Sequence, residues 1–456
     1  MSSPAATDDT RVESKSQLIE YIASGEKPAK DWRIGTEHEK FLFDARSLRP
    51  LPYDGVPGVK ALLERMAGPE WQPVYESGNI IALTGSDGGS VTLEPGGQLE
   101  LSGAPLENIH QTCSEVHRHL RQVVDACEAI GAGTAGLGFN PIWKRDDVPW
   151  MPKGRYKIMR EYMPKKGNLG IDMMKRTCTV QVNLDYSSEA DMIQKMRISL
   201  ALQPVATALF ANSPFKEGKP NGYLSYRSHI WTDTDPDRCG MLPFVFDDNF
   251  GYERWIDYIL DVPMYFVYRD GVYHDVSGKS FRDYMDGKLE GFEGELPTMT
   301  DWSDHMTTAF PEVRLKKFIE MRGADGGPWG NLCALPALWV GLLYDDQARA
   351  EAADLIADWS VEEISAMRDA VPKLALKAPF RDGTVLDIAR KVVEICHGGM
   401  KRRARLNPTS GLDETMYLKP LDDVVSTGRT IAENLLEAYE TRWNGEIDPV
   451  YAECRY

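Results

Sequence analysis

The chain has 456 residues, 42% hydrophobic and 10% aromatic, enough for a substantial core in one large domain or in two or three smaller ones. Its 52 basic and 69 acidic residues leave a net charge of −17, which argues against general affinity for nucleic-acid backbones. The longest apolar run, residues 333–344, is too short to span a bilayer and contains Pro336. Residues 1–10 are polar and acidic, with neither the apolar centre of a signal peptide nor the arginines of a transit peptide. Seven cysteines, with no Cys-x-x-Cys pair, read as free thiols in a reducing cytoplasm rather than a disulfide frame or zinc site. One basic run, residues 401–405, reads as a solvated turn between C-terminal helices.

Residues 14–23 predict a short helix, and residues 33–43 a strand whose apolar residues bracket a polar centre. Strand side chains alternate, so Glu37 and Glu39 share a face and His38 takes the other. Such a pair marks either a wet sheet face or a site for a hard divalent cation. Residues 59–66 predict a second helix. Between residues 71 and 102, four short β-like runs (73–76, 80–83, 90–94 and 98–102) are separated by glycine turns, the pattern of an antiparallel meander. Residues 107–130 have the spacing of a long amphipathic helix stopped by Gly131.

Residues 177–186 show the clearest strand alternation. Thr177, Thr179, Gln181, Asn183 and Asp185 form a polar face; Cys178, Val180, Val182, Leu184 and Tyr186 form an apolar one. Ser188 then caps a helix running past Pro204, and residues 212–237 form a long ordered loop. Residues 262–268 and 315–322 predict further strands, the second ended abruptly by the glycine-rich stretch from Gly323. Beyond Ala334 the chain is almost wholly helical. Strands in hairpins interleaved with long helices indicate α+β with an antiparallel sheet. No domain boundary stands out: residues 1–456 read as a single catalytic domain, with an N-terminal arm (1–30), a sheet-containing core (31–344) and a helical part (345–456).

No phosphate loop survives inspection, because the first glycine required before Ser277-Gly278-Lys279-Ser280 is Tyr273. No Gly-x-Gly-x-x-Gly follows a strand, and there is no Gly-x-Ser-x-Gly elbow. What remains is a set of acids on several predicted strands: Glu37 and Glu39, then Glu94 and Glu100 flanking a Pro-Gly-Gly turn, then Glu320 beside Arg322. Crowding them on one face is tolerable when Mg²⁺ bridges them to substrate phosphates, with an arginine as phosphate clamp.

The blocks Gly35-Thr36-Glu37-His38-Glu39-Lys40-Phe41, Leu93-Glu94-Pro95-Gly96-Gly97-Gln98-Leu99-Glu100, Met173-Met174-Lys175-Arg176-Thr177-Cys178-Thr179, Arg227-Ser228-His229-Ile230-Trp231 and Glu320-Met321-Arg322-Gly323-Ala324-Asp325-Gly326-Gly327 resemble, in order and spacing, the signature blocks of plant-type glutamate–cysteine ligases. The resemblance implies a glutamine-synthetase-like carboxylate–amine ligase fold, a curved antiparallel sheet backed by helices. It implies ATP-dependent joining of L-glutamate to L-cysteine through a γ-glutamyl phosphate, the first step of glutathione biosynthesis. It also implies two or three Mg²⁺ held by Glu37, Glu39, Glu94, Glu100 and Glu320, with Glu320 and Arg322 catalytic and Arg322 reaching the nucleotide phosphates. Arg227 would pair with glutamate's α-carboxylate, and Thr177, Thr179, Gln181 and Asn183 would donate or accept neutral hydrogen bonds.

Arg155 and Arg160 either close over an anion or sit on an exposed helix, and Tyr265 is either a wall of the cysteine pocket or a core aromatic. Plant members carry a redox cysteine pair at the positions of Val276 and Gly291, so that switch cannot operate here. These features give the expectation of a bacterial, cytoplasmic enzyme, monomer or homodimer, binding neither nucleic acid nor membrane. Two rival readings are a γ-glutamyl ligase with another amine acceptor and a catalytically silent relative that binds amino acid or metal.

Overall fold

The computed structural model describes residues 8–456, so residues 1–7 of the polar N-terminal stretch lie outside it. The alternation read around Glu37 produces an eleven-residue strand, β1 (Ile34–Asp44). It lies within a nine-stranded sheet that is antiparallel throughout. The other strands are β2 (Trp71–Glu76), β3 (Asn79–Gly85), β4 (Ser90–Leu93), β5 (Leu99–Ser102), β6 (Ala132–Ala135), β7 (Thr179–Leu184), β8 (Val313–Leu315) and β9 (Ile319–Asp325). Their order is β8-β9-β7-β1-β5-β4-β3-β2, and β6 pairs with the second half of β1. The predicted meander is therefore β2 to β5. Gly97, at φ 85°, makes its last turn in a conformation that L side chains rarely adopt.

After α1 (Lys15–Ala23) and α2 (Val59–Met66), three helices close one face of this sheet: α3 (Ile109–Ile130), α6 (Glu189–Leu209) and α8 (Trp329–Leu343). The Asn108 side chain caps α3 by accepting from the Gln111 amide at 3.0 Å, and Gly131 ends it at φ 77°. Ser188 caps α6 in the same way. Val180, Val182 and Leu184 of β7 join Val116 and Leu120 of α3, Val205 of α6 and Leu335 of α8 in one buried cluster. Each large apolar side chain so buried contributes roughly 1.5–3 kcal/mol. The opposite face carries the short helices α4 (Gly154–Tyr162), α5 (Gly170–Arg176) and α7 (Tyr226–Trp231). Among the described residues no helix is long and apolar enough to cross a membrane.

Several expectations need correction. Cys113 and Cys333 form a disulfide joining α3 to α8, while Cys127, Cys178, Cys239, Cys396 and Cys454 are free. The partners lie 220 residues apart, and spacing along the chain carries no sign of two helices meeting behind a sheet. The stretch read as one strand, 315–322, is a hairpin: Leu315 ends β8, and β9 runs through Gly323 to Asp325 with a register shift between Met321 and Ala324. Gly323 lies within the strand and packs close against α6, where a Cβ would lie 2.4 Å from Gln203 Nε2. The strand predicted at 262–268 is observed at Phe266–Arg269, in a separate hairpin with Val272–Asp275. The long loop contains α7, capped by Ser225, so Arg227 sits on a helix. The basic run ends a helix, Val385–Arg403, where Arg402 pairs with Asp345 and Arg403 with Glu414.

Candidate active site

Register decides which side chains meet. Across β1 and β5, Glu39 stands opposite Glu100 and Glu37 opposite Ser102; across β1 and β7, Glu37 stands opposite Gln181. Thr92 faces Glu100 from β4, and Glu320 faces Asn183 from β9. Residues opposed across a ladder share a face, so Glu37, Glu39, Glu100, Gln181, Asn183 and Glu320 all lie on the side away from α3, α6 and α8. Glu94 arrives from the turn after β4. There a cleft of about 110 Å³ is lined by Glu37, Glu39, Glu94, Glu100, Thr177, Thr179, Gln181, Arg322, Arg155, Arg227 and Arg314. Met173, Met174, Trp231, Thr307 and Phe310 supply its apolar wall.

The acids sit under electrostatic load. Burial, then Glu94 and Glu100, raise the Glu39 carboxyl well above its ordinary range. Burial and Glu100 push Glu94 up to about 7. Hydrogen bonds fix some of their orientations: the Thr179 amide donates to Glu39 at 3.0 Å, Asn183 Nδ2 to Glu37 at 2.9 Å, and Thr92 Oγ1 to Glu100 at 2.6 Å. Among the described residues no three acidic, histidine or cysteine side chains are already gathered at metal distance. The chemistry of the set nonetheless suits a hard cation, since its donors are carboxylate oxygens that raise one another's proton affinity.

Glu320 and Arg322 take different places. Glu320 is fully buried, off the cleft wall, and clasped by Arg314 (2.7 and 2.8 Å), Lys316 (3.2 Å) and Arg322 (2.6 Å). Burial opposes its charge, yet these three cations hold its carboxyl well below the usual range. Arg322 lines the cleft and donates to Gln181 Oε1 at 2.7 Å and to Glu320. Arg227 donates to the Arg322 carbonyl at 3.0 Å, while its buried Nε has no partner. The Nε of Arg155 is likewise buried without a partner at the cleft wall.

Asn183 stands behind Glu37 rather than on the wall. Arg160 is exposed, over the Trp150 ring. Tyr265 is 1% exposed, with the Arg238 guanidinium 3.9 Å from its ring centre, so of its two readings the core aromatic is the one seen. Sequence reasoning missed Arg314, which faces Glu320 across the β8–β9 hairpin and becomes visible once the turn at residues 316–318 is recognised. It also missed Lys153, buried beside Glu94 with its ammonium on the Leu93 carbonyl at 2.9 Å; burial pulls this amine down to about 8. No local pattern marks Lys153.

Residues 33–453 match the family described as glutamate-cysteine ligase family 2. The chain is 58% identical over 443 residues to glutamate–cysteine ligase B, chloroplastic, of Oryza sativa subsp. japonica, covering 97% of this chain and 87% of that one. It is 57% identical to the chloroplastic glutamate–cysteine ligase of Brassica juncea, over 97% and 84%. Among solved structures it resembles glutamate–cysteine ligase from Francisella tularensis in complex with AMP, with TM-score 0.56 and 12% identity, covering 94% and 89% of the two chains. It also resembles a bifunctional glutathione synthetase from Pasteurella multocida, with TM-score 0.53 and 14% identity, over 96% and 53%. At such identities the likeness speaks to fold, an α+β ligase architecture with an antiparallel sheet.

The expected cytoplasmic location is corrected: relatives from Oryza sativa, Brassica juncea, Medicago truncatula and Arabidopsis thaliana, 56–58% identical over 97% of the chain, are named chloroplastic. The composition of residues 1–10 and the absent cysteine pair carried the cytoplasmic expectation, and the location named for these relatives overrules it. With the order of its signature blocks, the register of its acids and a match spanning nearly all of its length, the chain belongs to glutamate-cysteine ligase family 2.

Proposed function

We propose that this chain joins the γ-carboxylate of L-glutamate to the amine of L-cysteine with ATP, giving γ-glutamylcysteine, ADP and phosphate in the first step of glutathione biosynthesis. The observation that carries the reading is the opposition of Glu39 and Glu100 across β1 and β5, with Glu94 and Arg322 on the same cleft. A carboxylate does not react with an amine at neutral pH. The γ-carboxylate oxygen therefore attacks the terminal phosphorus of ATP and ADP leaves. The cysteine amine then attacks the acyl carbon, and phosphate leaves with the oxygen it acquired. Both steps bring anions together, so they need alignment and neutralisation rather than a protein nucleophile.

Arg322 clamps the transferring phosphoryl group in this reading, supported by its bracing contacts with Glu320 and Gln181. Arg227 takes glutamate's α-carboxylate, with Thr177, Thr179 and Gln181 as neutral partners at the wall. The unpartnered Nε of Arg155 is available to a further anion. Glu37, Glu39, Glu94 and Glu100 would hold two or three Mg²⁺, which when bound supply charge neutralisation for the phosphates and relief for the acids. Glu320, its oxygens engaged by three cations, serves first to hold Arg314 and Arg322. We further propose a single glutamine-synthetase-like catalytic unit whose sheet curves around the substrates, with the helices of residues 345–456 as backing.

The test is ADP release by the purified chain. It should require glutamate, cysteine and Mg²⁺ together. Faster turnover with another amine would replace the named acceptor, and no ADP under any combination would favour the silent relative.

A further inference from the structure

A second cavity, of about 350 Å³, opens just before β1 on a different part of the surface from the cleft. Its wall carries Lys30, Arg33, Arg403 and Arg405 against a single carboxylate, Glu107, which lies 3.7 Å from Arg33. Arg403 is also paired, at 3.1 Å, with Glu414, which is buried behind it. Among the described residues neither Lys30 nor the Arg405 side chain has an ionic partner. Four cations facing one acid in a chain of net charge −17 form a local field opposite to that of the molecule as a whole. They repel one another unless an anion sits among them, and guanidinium groups match the oxygens of phosphates and carboxylates.

The cavity is also anchored. Tyr344, on its wall, donates to the Arg33 carbonyl and accepts from the Asp185 amide, each at 2.6 Å, tying the start of β1 to the end of β7. His110 Nε2 lies 3.1 Å from the Arg405 carbonyl and tethers that residue to α3. Trp32 is already packed against Tyr344 and Lys195, so recognition falls to charge rather than to stacking on a ring. The volume lies within the range of small-molecule pockets, about 300–1,000 Å³.

We propose that this cavity binds a small polyanion with at least two negative charges, of phosphate or carboxylate chemistry. The site stands apart from the reaction cleft and does not depend on which reaction that cleft performs. Equilibrium dialysis of the full chain with labelled inorganic pyrophosphate, in EDTA, tests it. Lys30→Glu/Arg405→Glu is expected to weaken one binding site at least about tenfold, and the milder Lys30→Gln/Arg405→Gln pair to weaken it in the same direction. ADP formation at saturating substrates should be unchanged in both. In Arg322→Ala that binding should persist, which separates it from pyrophosphate held in the cleft. Displacement by citrate assigns carboxylate as well as phosphate chemistry to the site; failure of citrate to compete assigns phosphate alone. Equal pyrophosphate binding in the wild type and both charge-altered pairs, or binding abolished by Arg322→Ala, overturns the proposal.

Discussion

Four consecutive residues of β1 meet opposite fates on the two faces of one sheet. Behind the sheet, His38 and Lys40 are enclosed with His119: the Lys40 ammonium lies 3.0 Å from His119 Nε2 and 3.2 Å from the Leu99 carbonyl. Burial lowers Lys40 to about 7 and keeps both histidines neutral. In front, Glu37 and Glu39 meet Glu94 and Glu100, and burial together with mutual repulsion raises Glu39 and Glu94. Burial disfavours charge on these bases and helices close them off, leaving both ring nitrogens of His38 without a hydrogen-bond partner among the described residues. The acids open onto a cleft where a further cation can reach them. Buried bases whose charge is disfavoured behind closed helices read as structure, and buried acids facing a cleft read as a site.

The largest expected effect comes from breaking the brace of the acidic face. Glu320→Gln removes the shared partner of Arg314, Lys316 and Arg322. Removing one member of a buried ion pair costs about 3–5 kcal/mol, so thermal unfolding should move to clearly lower temperature and ADP formation should be lost as Arg322 is released. Near-normal turnover would remove Glu320 from this role.

Glu39→Gln sharpens the comparison with a smaller and signed effect. In EDTA the variant should melt at higher temperature than the wild type, because Glu94 and Glu100 lose a like charge. In millimolar Mg²⁺ the order should reverse as a ligand is lost, and ADP formation should collapse. Paired unfolding curves with and without metal measure this. Curves shifted equally in both conditions would make Glu39 a plain structural residue.

The pH response separates the faces most gently. Glu94 is raised from 4.5 to about 7. Its contribution to stability is therefore full below pH 4.5 and lost as pH rises toward 7 in metal-free protein. Lys40 is lowered from 10.5 to about 7, so its contribution is present above pH 10.5 and lost as pH falls toward 7. Mg²⁺ should flatten the acid-side change and leave the alkaline-side change alone. Denaturant unfolding across pH 4.5 to 10.5, with and without Mg²⁺, checks both halves.

Local pattern carried much of this into view beforehand. Period-two alternation located β1 and β7, glycine turns located the meander, apolar spacing and Gly131 located α3, and the cap at Ser188 set the start of α6. Alternation within one strand put Glu37 and Glu39 on a shared face, and the pairing of β1 with β5 adds Glu100 to it. What stayed hidden depends on contacts between distant segments. Cys113 meets Cys333 only because two helices pack behind the sheet. Arg314 reaches Glu320 only through a hairpin that pattern alone merged into one strand. Lys153 and Trp231 line or back the cleft from helices and loops that carry no alternating signature.

The central claim is that the acids on the front of the sheet converge because divalent cations neutralise them. Anomalous diffraction from crystals grown with Mn²⁺, glutamate and a non-hydrolysable nucleotide addresses it most directly. Peaks coordinated by Glu39, Glu94 and Glu100 are the predicted result; a nucleotide-bound crystal with no metal at any of these carboxylates would contradict it.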